Sequence, residues 1–166
     1  MRKSGLTKKL TGWFVVLGGV AALPAFSAER YAPSTNEQEI TDSRTDLVWR
    51  RCAEGMAWKA GTCTEQALFL NHFNATAHAA KVAAASGQPW RLPTLKELSS
   101  IASVREAEGG TAAINPVAFP ATPLTRFWSS TPAGRGYFMY VSFVEGSAGE
   151  GERNSAGATR LVRSSK

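Results

Sequence analysis

Trp90-Arg91-Leu92-Pro93-Thr94-Leu95-Lys96-Glu97-Leu98 is the stretch on which the reading of this 166-residue chain turns. Thr94-x-x-Glu97 has the spacing of a capping box, in which a Thr hydroxyl and a Glu carboxylate each satisfy a free backbone N–H at a helix start. A helix therefore opens at Thr94, with Leu95, Leu98, Ile101 and Ala102 on its buried face, and gives way around Glu106. Arg91, just ahead of the box, reads as a tie to the helix start. Upstream, Ser86-Gly87-Gln88-Pro89 is a stop signal: Gly accepts the left-handed cap and Pro cannot continue a helix. Leu70, Phe73, Ala77, Ala80 and Ala84 before it recur at three- and four-residue steps. They predict a first helix whose apolar stripe faces the core, with Thr64 as its N-cap and Glu65 in its first turn.

Downstream of Glu106, an irregular segment rich in Pro runs to about Thr125. Strand formers follow. Phe127-Trp128-Ser129-Ser130-Thr131 predicts a short strand ended by Pro132. Residues 136–144 predict a longer strand, 145–157 a Gly-rich polar loop, and 158–163 a final strand. Toward the N-terminus, 38–52 reads as a hairpin turning through Thr41-Asp42-Ser43-Arg44-Thr45-Asp46 into Leu47-Val48-Trp49. Strands, two helices, a long loop and then an antiparallel sheet make an α+β domain.

The charge must be read with the N-terminus in view. Lys+Arg number 19 and Asp+Glu 13, a formal +6. Four of those cations, Arg2, Lys3, Lys8 and Lys9, precede an uncharged run over 10–28 that contains a short apolar core and small residues at Ala25 and Ser27. That is the pattern of a secretory signal cut before Ala28. It divides the chain into a signal over 1–27 and one domain over 28–166. Without the four cations, 15 basic residues face 13 acidic ones, about +2, so the charge gives no case for nucleic acid. The apolar core is shorter than the roughly 20 residues of a membrane span.

An exported chain meets oxidising conditions, and its two cysteines, Cys52 and Cys63, then read as a disulfide. The loop they close has Gly55 and Gly61 for its turns, and its closure contributes about 2–3 kcal/mol. A redox pair or half a metal site is the alternative. The spacing is not C-x-x-C, and no second ligand pair exists.

These blocks together resemble the Lcl C-terminal domain family, a bacterial module named after a collagen-like protein. The resemblance is carried by Leu47-Val48-Trp49-Arg50-Arg51-Cys52, Trp58 before Cys63, the Trp90–Leu98 block, Phe127-Trp128-Ser129-Ser130-Thr131-Pro132 and Arg160-Leu161-Val162-Arg163. It covers nearly all of the mature chain. It implies a C-type-lectin-like fold, two helices packed on antiparallel sheet with long irregular loops. The founding member binds sulfated polysaccharides and trimerises through a collagen stalk. This chain has no such stalk, so neither trimerisation nor adhesion is implied.

Candidate sites follow. His72 and His78 lie about 240° apart around a helix and cannot share a base or metal role on one face; both read as surface or boundary residues. No Gly-x-Ser-x-Gly, His-Glu-x-x-His or phosphate loop is present. The fold is shared with formylglycine-generating enzymes, which act through cysteines, and here both cysteines are spent in the disulfide. The expectation is a protein without catalytic activity. The sugar-binding calcium motifs of C-type lectins are missing. Glu145, Glu150 and Glu152 could supply oxygen ligands, but they read more simply as a solvated loop, and no metal or cofactor is expected. Trp49, Trp58, Trp90 and Trp128 are expected in the core, while Tyr137 and Tyr140 are candidates for sugar stacking if exposed.

The domain has 11 Arg and 4 Lys after the signal, and the Arg fork suits sulfate and carboxylate. Arg126, Arg135, Arg153, Arg160 and Arg163, all assigned to the C-terminal sheet and its loops, are the candidate ligand-binding residues. Arg160 and Arg163 are an odd number apart and face opposite sides of a strand, so the five cannot all share one patch. The expected partner is a polyanionic or other surface glycan. An envelope protein docking through 110–125 and 145–157 is the alternative.

Overall fold

The computed structural model describes residues 29–103 and 112–166. The signal assigned to 1–27, and 104–111 of the irregular segment, lie outside the described residues. The hairpin forms as predicted, with β2 (Glu39–Asp42) antiparallel to β3 (Leu47–Arg50). A short lead-in strand β1 (Tyr31–Pro33) adds to β2. Beside β1, Arg30 clamps the fully buried Asp42 with two hydrogen bonds of 2.9 and 2.7 Å. Burial acts to raise the Asp42 pKa. The bonds from Arg30 and the Arg44 N–H, with the Arg30 charge, outweigh it and hold the carboxyl below its ordinary value.

The last strand departs from expectation. β9 is only Val162–Ser164, and it pairs with β3, giving the order β1-β2-β3-β9. The first and last described strands thus share one sheet, and residues 158–161 enter the core beside Phe127 and Arg50.

Cys52 and Cys63 are joined, as read, with Cα atoms 5.4 Å apart. Within the loop, β4 (Ala57–Lys59) and β5 (Thr62–Thr64) form a ribbon turned at Ala60 and Gly61, both at positive φ (50° and 82°). A two-residue hairpin turn of this kind needs such angles. Thr64 therefore lies in a strand, not at a helix cap.

Helix α1 (His72–Ser86) starts later, capped by Asn71, whose side chain accepts from the Asn74 N–H. Gly87 ends it in the left-handed conformation, as predicted. Its buried face is His72, Ala75 and Ala79, whereas Phe73 is 75% exposed and Ala77, Ala80 and Ala84 face solvent. The predicted stripe thus points outward. The cause is the partner surface: α1 rests on a cluster containing Trp90 and Trp128, and two indoles leave room only for small side chains.

Helix α2 (Leu95–Ser100) has the capping box, with Thr94 and Glu97 bonded reciprocally. Arg91 grips the Glu97 carboxylate with two bonds of 2.8 Å, the tie read from the sequence. That pair raises the Arg91 pKa and lowers that of Glu97. The helix ends sooner than predicted, because Ala102 bridges to Ile114 and the Ser103 N–H bonds Ala113 O.

The second large sheet is β6 (Arg126–Gly134), β7 (Tyr137–Ser142) and β8 (Ser147–Glu152), in that order. β6 passes through Pro132 because the ladder shifts register there, so the missing N–H is not needed. Of the Gly-rich stretch 145–157 read as a loop, Ser147–Glu152 form strand β8. Its glycines fit beneath aromatic rings. A Cβ on Gly149 would lie 2.6 Å from the Tyr140 ring, and one on Gly151 2.8 Å from Trp128. Gly151→Ala is expected to cost about 1–3 kcal/mol by overpacking, read as a lower urea midpoint with an unchanged slope.

Trp49, Trp90 and Trp128 are buried, as expected. Trp58 is only half-buried and lies against the Arg51 guanidinium, 4.1 Å from it. Among the described residues the fold is α+β, with two helices and three antiparallel sheets.

Candidate functional site

The five arginines separate by burial. Arg160 is fully buried. Its Nη1 donates to Arg50 O (2.9 Å) and Arg51 O, and its Nη2 to Thr122 Oγ1 (2.8 Å). The Phe119 and Phe127 rings lie 4.8 and 5.7 Å from the guanidinium. Burial pulls its pKa down to about 9, against the opposing charge of Glu54, so it remains a cation at neutral pH. Arg160 had been assigned to ligand binding; it is instead a core residue closed to any surface ligand. The odd spacing places Arg160 and Arg163 on opposite faces of one strand, but Arg160 lies ahead of β9 and is not on that strand; it turns into the core.

Arg163, partly buried on β9, donates to Glu39 Oε2 at 2.7 Å and lies 5.2 Å from the Trp90 ring. It belongs to the N-terminal sheet, not to the C-terminal one. Arg126 is partly buried as well. Its Nε donates to Ala156 O (2.8 Å), and its guanidinium is within 6 Å of Trp128 and Tyr140.

Arg135 and Arg153 remain, both exposed. Arg135 is at the tip of the β6–β7 hairpin between Gly134 and Gly136, and Arg153 follows β8. The Arg153 N–H donates to Gly136 O (2.8 Å), and Arg153 O accepts from the His72 N–H (2.9 Å). The hairpin tip, the end of β8 and the first turn of α1 therefore meet in one rim. Phe73, 75% exposed, and Tyr137, 41% exposed, stand on the same rim. The Tyr137 hydroxyl donates to Glu152 Oε1 at 3.3 Å. Among the described residues, neither Arg135 nor Arg153 makes an ion pair within 4.0 Å. Phe73 was missed from sequence because its helical spacing matched a core stripe. Tyr140, the other stacking candidate, is half-buried across Gly149.

Residues 38–163 match the model of the Lcl C-terminal domain. The chain belongs to that family. The Lcl C-terminal domain match takes in both cysteines and all five arginines. No curated protein and no solved structure matches the chain.

The histidines of this Lcl C-terminal domain take different places. His78 is partly exposed, and its Nε2 lies 2.8 Å from the buried Glu54 carboxylate, which also pairs with Arg50 at 3.2 Å. The cluster ties α1 to the disulfide loop. His72, expected at the surface or its boundary, is buried at 6% exposure. Its ring stacks on Phe138 at 3.4 Å, and its Nε2 donates to Ser129 O at 2.9 Å. Burial lowers the His72 pKa, and the bond to Ser129 opposes this only in part.

The unfolded chain therefore takes up a proton that the fold refuses. Stability contributed by neutral His72 is complete above about pH 6.5 and is lost as pH falls from there toward the lower folded value. Thermal melts should show a midpoint drop over that window. His72→Gln, whose amide can still donate to Ser129 O, should flatten it.

A cleft of about 590 Å³ lies between β1, the residues just after α2 and residues 115–118, lined in part by Arg30, Tyr31, Arg51, Ile101, Asn115 and Val117. Arg51 is tied there to Val117 O, Ala118 O and Glu37 O, so it shapes the wall. Glu145, Glu150 and Glu152, considered for calcium, are spread along the β7–β8 hairpin. Among the described residues no three His, Cys, Asp or Glu gather as a metal site would require.

Proposed function

We propose that this protein is an exported, non-enzymatic binding module of C-type-lectin-like fold for polyanionic surface glycans. The observation that carries the reading is the rim where Arg135 and Arg153 are exposed, without an ion pair among the described residues, near Phe73 and Tyr137. Two guanidinium forks offer paired donors to sulfate or carboxylate groups. Exposed rings offer apolar faces to the sugar between them. The family resemblance supports the ligand class, and the signal pattern over 1–27 with an oxidised cysteine pair supports export.

Heparin chromatography of the full chain with its signal removed tests the reading. Retention at low salt and release by added salt are expected, because exposed charge contacts are screened. Flow-through at low salt, with a blank array of anionic glycans, would sink it.

A further inference from the structure

The sheet β6-β7-β8 ends on β8, and among the described residues no strand pairs with the outer edge of β8. The Arg153 N–H points inward, to Gly136 O on the β7 side. Backbone direction alternates along a strand, so 151, 149 and 147 face β7 as well. Ala148 and Glu150 then direct their N–H and C=O groups away from the sheet. Among the described residues no backbone group outside the strand bonds to either. The edge closes only at Glu152, whose O accepts from the Ser155 N–H at 2.9 Å.

Such an edge is a template for another strand, and charge narrows what can occupy it. Residues 143–152 contain Glu145, Glu150 and Glu152 and no Lys or Arg. Glu150 and Glu152 share the face opposite to Gly149 and Gly151, by their alternation along β8. A second copy of β8 laid antiparallel would bring these glutamates together, and like charges across a ladder are destabilising. On the other face the glycines carry no side chain, and the half-buried Tyr140 ring lies flat across Gly149. An apolar side chain from a neighbouring strand can reach that ring.

We infer that the open edge of β8 takes up an extended basic peptide as a fourth strand, with its Lys or Arg side chains opposite Glu150 and its alternate apolar side chains toward Tyr140. The partner is thus a protein segment of alternating basic and apolar residues. This rests on the edge and its glutamates, independently of the arginine rim.

The test uses a synthetic amidated peptide of alternating Lys and Val, titrated calorimetrically into the full chain at low salt. Binding is expected, weakened at least about tenfold by Glu150→Lys. A peptide of identical charge, N-methylated at alternate positions so that it cannot bond the edge, should not bind. Ala148→Pro should also abolish binding while keeping the wild-type melting midpoint, since the Ala148 N–H is not used within the sheet. No binding by the unmodified peptide would overturn the inference. So would equal binding by the N-methylated peptide, which would mean charge attraction alone.

Discussion

Arg160→Ala is expected to lower the stability of the domain by about 3–5 kcal/mol, the range for removing one partner from a buried charged network. The substitution strips the carbonyls of Arg50 and Arg51 and the Thr122 hydroxyl of a donor; the bonds to Arg51 O and Thr122 are buried, and that to Arg50 O is partly so. Unsatisfied groups of this kind cost about 1–3 kcal/mol each. It also opens a void between Phe119 and Phe127, the rings that enclose the guanidinium. Glu54 loses a cation that acts on it from within the core, although Arg50 and His78 still touch it.

Lysine should rescue only part of the loss, because a single ammonium cannot span two carbonyls and a hydroxyl with the geometry of a planar fork. Urea unfolding followed by tryptophan fluorescence measures this. A loss below about 1 kcal/mol would mean that the network contributes little.

Much of the architecture was legible in the sequence where local rules and tertiary packing agree. The capping box at Thr94 and Glu97 is satisfied by atoms within four residues, and distant packing does not disturb it. The turn at 43–46, two residues shorter than the stretch read for it, and the Gly87 stop are local in the same way. Predictions failed where the deciding partner lies far away in sequence. The α1 stripe was read as if any apolar face must be buried. The helix instead turns alanines and His72 toward Trp90 and Trp128, and the alanine volumes are set by those indoles. Residues 145–157 looked like a loop because glycine usually breaks strands. Here Gly149 and Gly151 are required by rings from neighbouring strands, which no window of local sequence contains.

The arginines illustrate the same limit. Strand alternation treats Arg160 and Arg163 as if they shared a strand, but Arg160 lies ahead of β9 and turns into the core. That depends on β9 pairing with β3 across more than a hundred residues. Arg135 and Arg153 come together through a hairpin register and the start of α1, both of them long-range.

The second large effect concerns that pair. Arg135→Ser with Arg153→Ser should weaken polyanion binding by at least about 100-fold. Each lost charge-assisted contact is worth about 1.5–3 kcal/mol, and 1.4 kcal/mol is tenfold in affinity. Both side chains are exposed and outside the ion pairs of the core, so the melting midpoint should not move. Arg163→Ser is the single-charge control, to be read beside each single variant of the rim: it removes one cation, from a side chain already held by Glu39. The decisive measurement is the salt concentration at which the wild type, the double variant and Arg163→Ser leave a heparin column. The account predicts that the double variant passes at low salt while Arg163→Ser elutes close to the wild type. Retention of the double variant at the wild-type position would contradict it.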